Sequence, residues 1–247
     1  EAKVGEMAAS SCSTTTKISG KTVFNIGGVD RDNATDEATV FNYVKQFNLK
    51  TSFDGRDLLY TRIKAGNFHN QPFGQKTYGT YLSSAYTSGT ADYLSVDKIW
   101  YQFPVGDNLK VWVGPLVENY YMLASAPSIY KPVTKQFALG GNGSAYGSST
   151  SPGFGAAWTQ ETEDPSDARF AVSMGYTSKD GADSSKGLSN DDSRSFLLTK
   201  VEYGSPRWQV SAAMAKKQAP TTSTNGYDSY YHSTDSKATE GDLTAYG

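Results

Sequence analysis

Apolar and polar residues alternate one by one through much of this chain. The clearest case runs from Phe41 to Phe53. Phe41, Tyr43, Lys45, Phe47, Leu49, Thr51 and Phe53 share one parity; Asn42, Val44, Gln46, Asn48, Lys50 and Ser52 share the other. Successive side chains of a strand point to opposite faces, so this spacing predicts a strand with an aromatic face and a polar face. Asp54-Gly55 supplies a turn, because Gly tolerates positive φ and Asp bonds its own backbone. The chain then returns with Leu59, Thr61, Ile63 and Ala65 on one face and Tyr60, Arg62 and Lys64 on the other. Two senses remain open at this point: the apolar face turned into a globular core, or turned into lipid.

The same alternation predicts strands at 18–26, 99–103, 109–113, 154–158, 170–176, 197–203 and 208–214. A last one opens at Gly241, for about ten in all. Their connections alternate in length. Tight turns fall at 54–57, 104–108, 161–167 and 204–206, and long loops at 67–94, 117–151, 178–193 and 216–240. A meander with short turns at one end and long loops at the other is the pattern of an all-β, antiparallel, up-and-down transmembrane β-barrel. Aromatics near the strand ends, among them Phe24, Phe41, Phe53, Tyr101, Phe103, Trp158, Tyr203 and Trp208, suit interfacial girdles. A soluble β-sandwich would alternate similarly but has no need of this regular exchange of short and long connections.

Composition narrows the picture. Apolar residues make up 37% of the 247, low for a globular core, while aromatics reach 13% with 17 Tyr. No apolar run approaches the ~20 residues of a membrane helix. A net charge of −2 carries no basic footprint for nucleic acid. The single cysteine, Cys12, lies in a Ser/Thr-rich stretch and offers no internal disulfide.

Three segments resemble the cyanobacterial outer-membrane porins, often called iron uptake porins, of the carbohydrate-selective porin superfamily. They are STTTKISGKTVF (Ser13–Phe24), LKTSFDGRDLLYTRIKAGNF (Leu49–Phe68) and VDKIWYQFPVGDNLKVWVG (Val96–Gly114). The resemblance covers about the first half of the chain. It implies a passive outer-membrane channel for inorganic ions and small hydrophilic solutes, with iron and carbohydrate transport as the family's labels. It also implies a homotrimer in contact with lipid and lipopolysaccharide, and attachment to peptidoglycan through an N-terminal S-layer-homology domain. On that reading, residues 1–14 are the end of the linker to that domain. Residues 15–247 are porin barrel, incomplete at its C-terminal side.

The candidate functional residues are basic and of inward parity: Arg62 and Lys64 on one strand, with Lys50 and Lys98 beside them. Fixed charges projecting into a wet lumen set ion selectivity, and these would favour anions. The competing role for Arg62 is pairing with a lumen carboxylate to stiffen the wall; Glu202 is the clearest inward acid. The 67–94 and 117–150 loops are both long enough to fold inward as a constriction or to cap the mouth, and the sequence does not choose.

Asp180, Asp183, Asp191 and Asp192 do not fit an EF-hand spacing and read as a solvated loop. His69 and His232 have no metal-ligand spacing around them. The Gly140–Gly143 run lacks the Lys-Ser/Thr of a phosphate loop, and no nucleophile elbow supports an enzyme. No cofactor or metal is therefore expected. The alternatives to a porin are a structural protein tying membrane to cell wall, a barrel enzyme and a soluble β-rich binding protein.

Overall fold

The computed structural model describes residues 15–30, 38–69, 72–74, 80–87, 91–147, 150–190, 193–219 and 241–246. The expectations for the 1–14 linker, Cys12, Asp191, Asp192, His232 and the 220–240 part of the last loop lie outside these residues. Ten strands are present: β1 (Thr16–Gly27), β2 (Val40–Thr51), β3 (Leu58–Gly66), β4 (Ser95–Val105), β5 (Leu109–Val117), β6 (Ser151–Thr159), β7 (Arg169–Ser178), β8 (Ser195–Ser205), β9 (Trp208–Ala219) and β10 (Gly241–Tyr246). They form one sheet in sequence order, each antiparallel to its neighbour. Strands β1 and β10 are its edges, and the described residues do not close it into a barrel. No helix among them is long and apolar enough to cross a membrane.

The first tight turn is built by two carboxylates. Gly55 takes the positive φ of +87°. Asp54 Oδ1 accepts from the backbone N–H groups of Arg56 and Asp57. Asp57 Oδ1 accepts from the Ser52 hydroxyl and the Phe53 and Asp54 N–H groups, while Tyr101 donates to its other oxygen. Burial favours a neutral Asp57, but these hydrogen bonds prevail and hold the carboxyl well below its usual range.

The distribution of polarity is inverted relative to a water-soluble sheet. On the outer face, Met174 is 55% exposed and Val210 69%, along with Phe24, Phe41, Phe154 and Val172. On the inner face, Lys98, Lys200 and Lys217 are each 1% exposed, and Asn42, Gln46, Ser173 and Thr177 are buried with them. Buried lysines beside exposed aliphatic rows reverse the usual preference. Aromatics gather at both ends of the outer face. Phe53, Tyr101, Phe103, Phe170, Tyr203 and Trp208 ring the short-turn end, with ring-to-ring distances of 4.5–6.3 Å. Phe24–Phe41 and Phe154–Tyr176 sit towards the long-loop end, at 5.9 and 5.5 Å. Two cations interrupt this face among the described residues: Lys45, which lies over the Phe47 ring and donates to Thr22 Oγ1, and Lys216, opposite Leu197.

The inner face is covered by the β5–β6 connection. Strand β5 bulges at Gly114–Leu116 against both neighbours, and the chain passes through Val117 into a 3₁₀ turn at Asn119–Tyr121. A second turn at Lys135–Gly141 and a short helix at Gly143–Tyr146 follow. Met122 and Val117 pack with Trp100, Trp112 and Ala157; Leu123, Ala145 and Tyr146 pack with Phe196, Leu198, Ala213 and Ala215.

Candidate functional site

Glycine seats the inward connection. Gly155 on β6 and Gly175 on β7 are cross-strand partners, and a Cβ on either would stand 2.9 Å from the Met122 side chain. A larger residue at either position would occupy the place of Met122, so this pair lets the connection lie directly on the wall. Its tip is then fixed by hydrogen bonds. Ser173 Oγ accepts from the Ala124 N–H, and the Ser125 hydroxyl donates to Glu202 while accepting from Lys200 and Gln209. Lys200 and Glu202 are themselves ion-paired at 2.5 Å. Of the two long loops, 117–147 lies on the inner face, and Tyr86 of the 67–94 loop also reaches it, against Lys64. The two loops meet at a bridge between Leu82 and Thr134, with Ser83 N–H on Val133 O and Lys135 N–H on Tyr81 O.

A cavity of about 570 Å³ remains between strands β1–β4 and the 120–126 stretch. Gln46, Asn48, Lys50 and Arg62 rise into it from the strands. Tyr60 donates to Asn48 Oδ1, as does Gln46. Tyr60 and Trp100 stand 5.1 Å apart, Trp100 and Tyr121 6.2 Å, and Tyr120 and Tyr121 4.9 Å, giving an aromatic wall. The Trp100 indole N–H has no acceptor among the described residues. A second cavity of about 440 Å³, bordered by Arg169, Glu202 and Gln209, lies on the other side of Ser125.

The four basic residues expected from the sequence all face inward, in different states. Arg62 makes a bidentate pair with Asp97, with Nε–Oδ1 at 2.8 Å and Nη2–Oδ2 at 2.6 Å. Lys64 stands 3.7 Å from the same carboxylate and over the Tyr86 ring. Lys98 is sealed beneath the connection, bonded to Glu118 and Thr150 and lying over Tyr121. Burial would raise the Glu118 carboxyl, but Lys98 prevails and holds it low. Lys50 is exposed at the cavity, with no ion pair among the described residues. The carboxylate pairing weighed for Arg62 is thus present, with Asp97 as the partner.

Two acids were missed by parity. Asp97 shares parity with Ile99, Tyr101 and Phe103 and so reads as outward. A bulge between Arg62/Ile63 and Lys98/Val96 leaves Asp97 without a cross-strand partner and turns it inward beside Lys98. A charge in an apolar row was the available signal. Glu118 belongs to the connection, which strand periodicity does not describe. Asp180, read as a solvated loop residue, is instead buried: it accepts from the Arg194 backbone and guanidinium, which lower its carboxyl to about 2. Asp183 caps its turn through Ser185. The described residues hold no cluster of three or more His, Cys, Asp or Glu arranged for a metal.

No known family's sequence model matches the chain. The chain is similar to Uncharacterized protein sll0772 of Synechocystis sp., 32% identical over 133 residues that cover 52% of this chain and 23% of that protein. It is also similar to Uncharacterized protein alr4550 of Nostoc sp., 32% identical over 115 residues, 43% of this chain and 20% of that protein. The chain thus spans less than a quarter of the length of the curated relatives it matches.

Proposed function

We propose that this chain is part of the wall of an outer-membrane porin, a passive water-filled channel for inorganic ions and small hydrophilic solutes, in which the β5–β6 connection narrows the lumen. The observation that carries the reading is the inverted polarity of the sheet. An exposed aliphatic band between aromatic ends fits hydrocarbon between two interfaces, and buried Lys, Asn, Gln and Ser fit a wet interior. In hydrocarbon an unpaired strand edge is costly, so a membrane-spanning form requires β1 and β10 to find partners in further wall. The cyanobacterial origin of both relatives agrees with the family that the sequence resembles.

On this reading the outer face meets lipid and lipopolysaccharide, the assembly is a homotrimer, and an N-terminal domain binds peptidoglycan. Among the described residues, inward Lys17, Lys21, Lys50, Lys64, Lys110 and Arg169, together with Arg62, Lys98, Lys200 and Lys217, outnumber the inward acids Asp97, Glu118 and Glu202, which favours anions in transit. The reading invokes transport without catalysis, and the iron and carbohydrate labels are proposals of the same standing. Planar-bilayer recording of the full-length protein tests it. Discrete, ohmic, weakly anion-preferring conductance steps are expected; membranes that stay silent at any protein concentration would refute it.

A further inference from the structure

We propose that the cavity between β1–β4 and the 120–126 stretch is a binding subsite for a small organic anion with a flat apolar body, such as an aromatic carboxylate. The inference deepens the channel reading and rests on it. Charge is the first consideration. Lys17 and Lys50 are direct cross-strand partners on β1 and β2, so both ammonium groups rise from the inner face. Like charges directly opposite on neighbouring strands destabilise a sheet. Elsewhere on this face Arg62, Lys98 and Lys200 each have a carboxylate, Asp97, Glu118 and Glu202. Among the described residues, neither Lys17 nor Lys50 has an ion pair. Arg62 commits Nε and Nη2 to Asp97 and also hydrogen-bonds Tyr60, which fixes its guanidinium at the edge of the cavity. An incoming anion would supply the counter-charge that this corner lacks.

Shape is the second. Tyr60, Trp100, Tyr120 and Tyr121 bring four rings to one side of a space of about 570 Å³. A hydrated inorganic ion gains little from such a wall, and a neutral solute gains nothing from Lys17 and Lys50. A ring bearing a carboxylate uses both: the flat body against the tyrosines and the oxygens towards Lys50. Gln46 and Asn48 keep the β2 wall of the cavity polar.

The test adds benzoate, acetate, benzyl alcohol or glucose to single channels of the full-length protein in planar bilayers at low salt. Benzoate is expected to reduce the current in a saturable way, at concentrations about three- to tenfold below those at which the other three act. Tyr60→Leu should weaken that block by a similar factor, and Lys50→Gln by up to about fivefold. Saturation-transfer NMR on detergent-solubilised full-length protein reads binding without conduction, so the two proposals fail separately. A silent protein that still transfers saturation to benzoate, less so in Lys50→Gln, overturns the channel and supports the subsite. A conducting protein that treats benzoate, acetate and glucose alike, or whose benzoate block ignores both substitutions, overturns the subsite and leaves the channel standing.

Discussion

Placing an arginine at Met174 separates a sheet in lipid from a sheet in water. Met174 lies in the middle of β7, 55% exposed, with Phe170, Val172 and Tyr176 on the same face. Its cross-strand partners, Ala156 on β6 and Thr199 on β8, carry no charge, so a new guanidinium there finds no carboxylate opposite. On a water-exposed surface such a change stays within about 0.5 kcal/mol. Near the midplane of a bilayer it costs about 2–4 kcal/mol. The control is Ser19→Arg, on the inner face of β1 opposite Asn48 and at the edge of the larger cavity, where water solvates the charge. That substitution should cost about 1 kcal/mol or less. Reversible urea unfolding of full-length protein in lipid vesicles, followed by tryptophan fluorescence, measures both. With a slope of ~1–3 kcal/mol per molar urea, Met174→Arg should lower the midpoint by about 1–2 M. A midpoint within experimental error of the parent, or a larger loss for Ser19→Arg than for Met174→Arg, would mean that the exposed aliphatic face is not in hydrocarbon.

Three further expectations follow from the inner face and the loops. Met122→Ala empties the seat over Gly155 and Gly175 at a cost of about 2–4 kcal/mol, which should loosen the connection and raise single-channel conductance; an unchanged conductance would place the 117–147 segment outside the conduction path. Lys50→Glu should move the reversal potential in a salt gradient towards cations, more at low salt than at high. Arg62→Gln should do so too, because it removes a positive charge and leaves Lys64 as the remaining ion-pair partner of Asp97. Asp180 titrates lower folded than unfolded, so its contribution is present above the ordinary Asp range and is lost as pH falls from about 4 towards about 2. Hydrogen exchange in the β7–β8 loop should therefore quicken over that window, and Asp180→Asn should show the quick exchange already at neutral pH.

Strand periodicity made most of the wall legible, and the reason is physical. A strand has one repeat, and Phe41 to Phe53 or Phe170 to Tyr176 state it without interruption, so facing follows from counting. Counting fails where the ladder gains a residue. At Asp97 a bulge slips the parity, and an apparently outward aspartate becomes the partner of Arg62. At Gly114–Leu116 another bulge sends the chain inward. The connection beyond carries its information in single contacts, such as Met122 over two glycines and Ser125 between Lys200 and Glu202. The Ser125 contacts join residues about 75 positions apart, too far for any local repeat to encode. The basic residues of the cavity were readable one by one, but the rings that complete it come from β3, β4 and the connection and meet only in three dimensions.

The inward connection also has a mechanical consequence. One end of it packs against β4 to β6 through Trp100, Trp112 and Ala157, while Leu123, Tyr146 and the Ser125 tip hold β8 and β9. A strut anchored on separated staves of a twisted sheet fixes the bend between them, because the sheet cannot flatten or curl without tearing one anchor loose. The curvature of this sheet is therefore held from within, as well as by hydrogen bonding between neighbouring strands. If the sheet lines the proposed channel, residues at either anchor would tune the width of its opening by altering curvature without touching a solute.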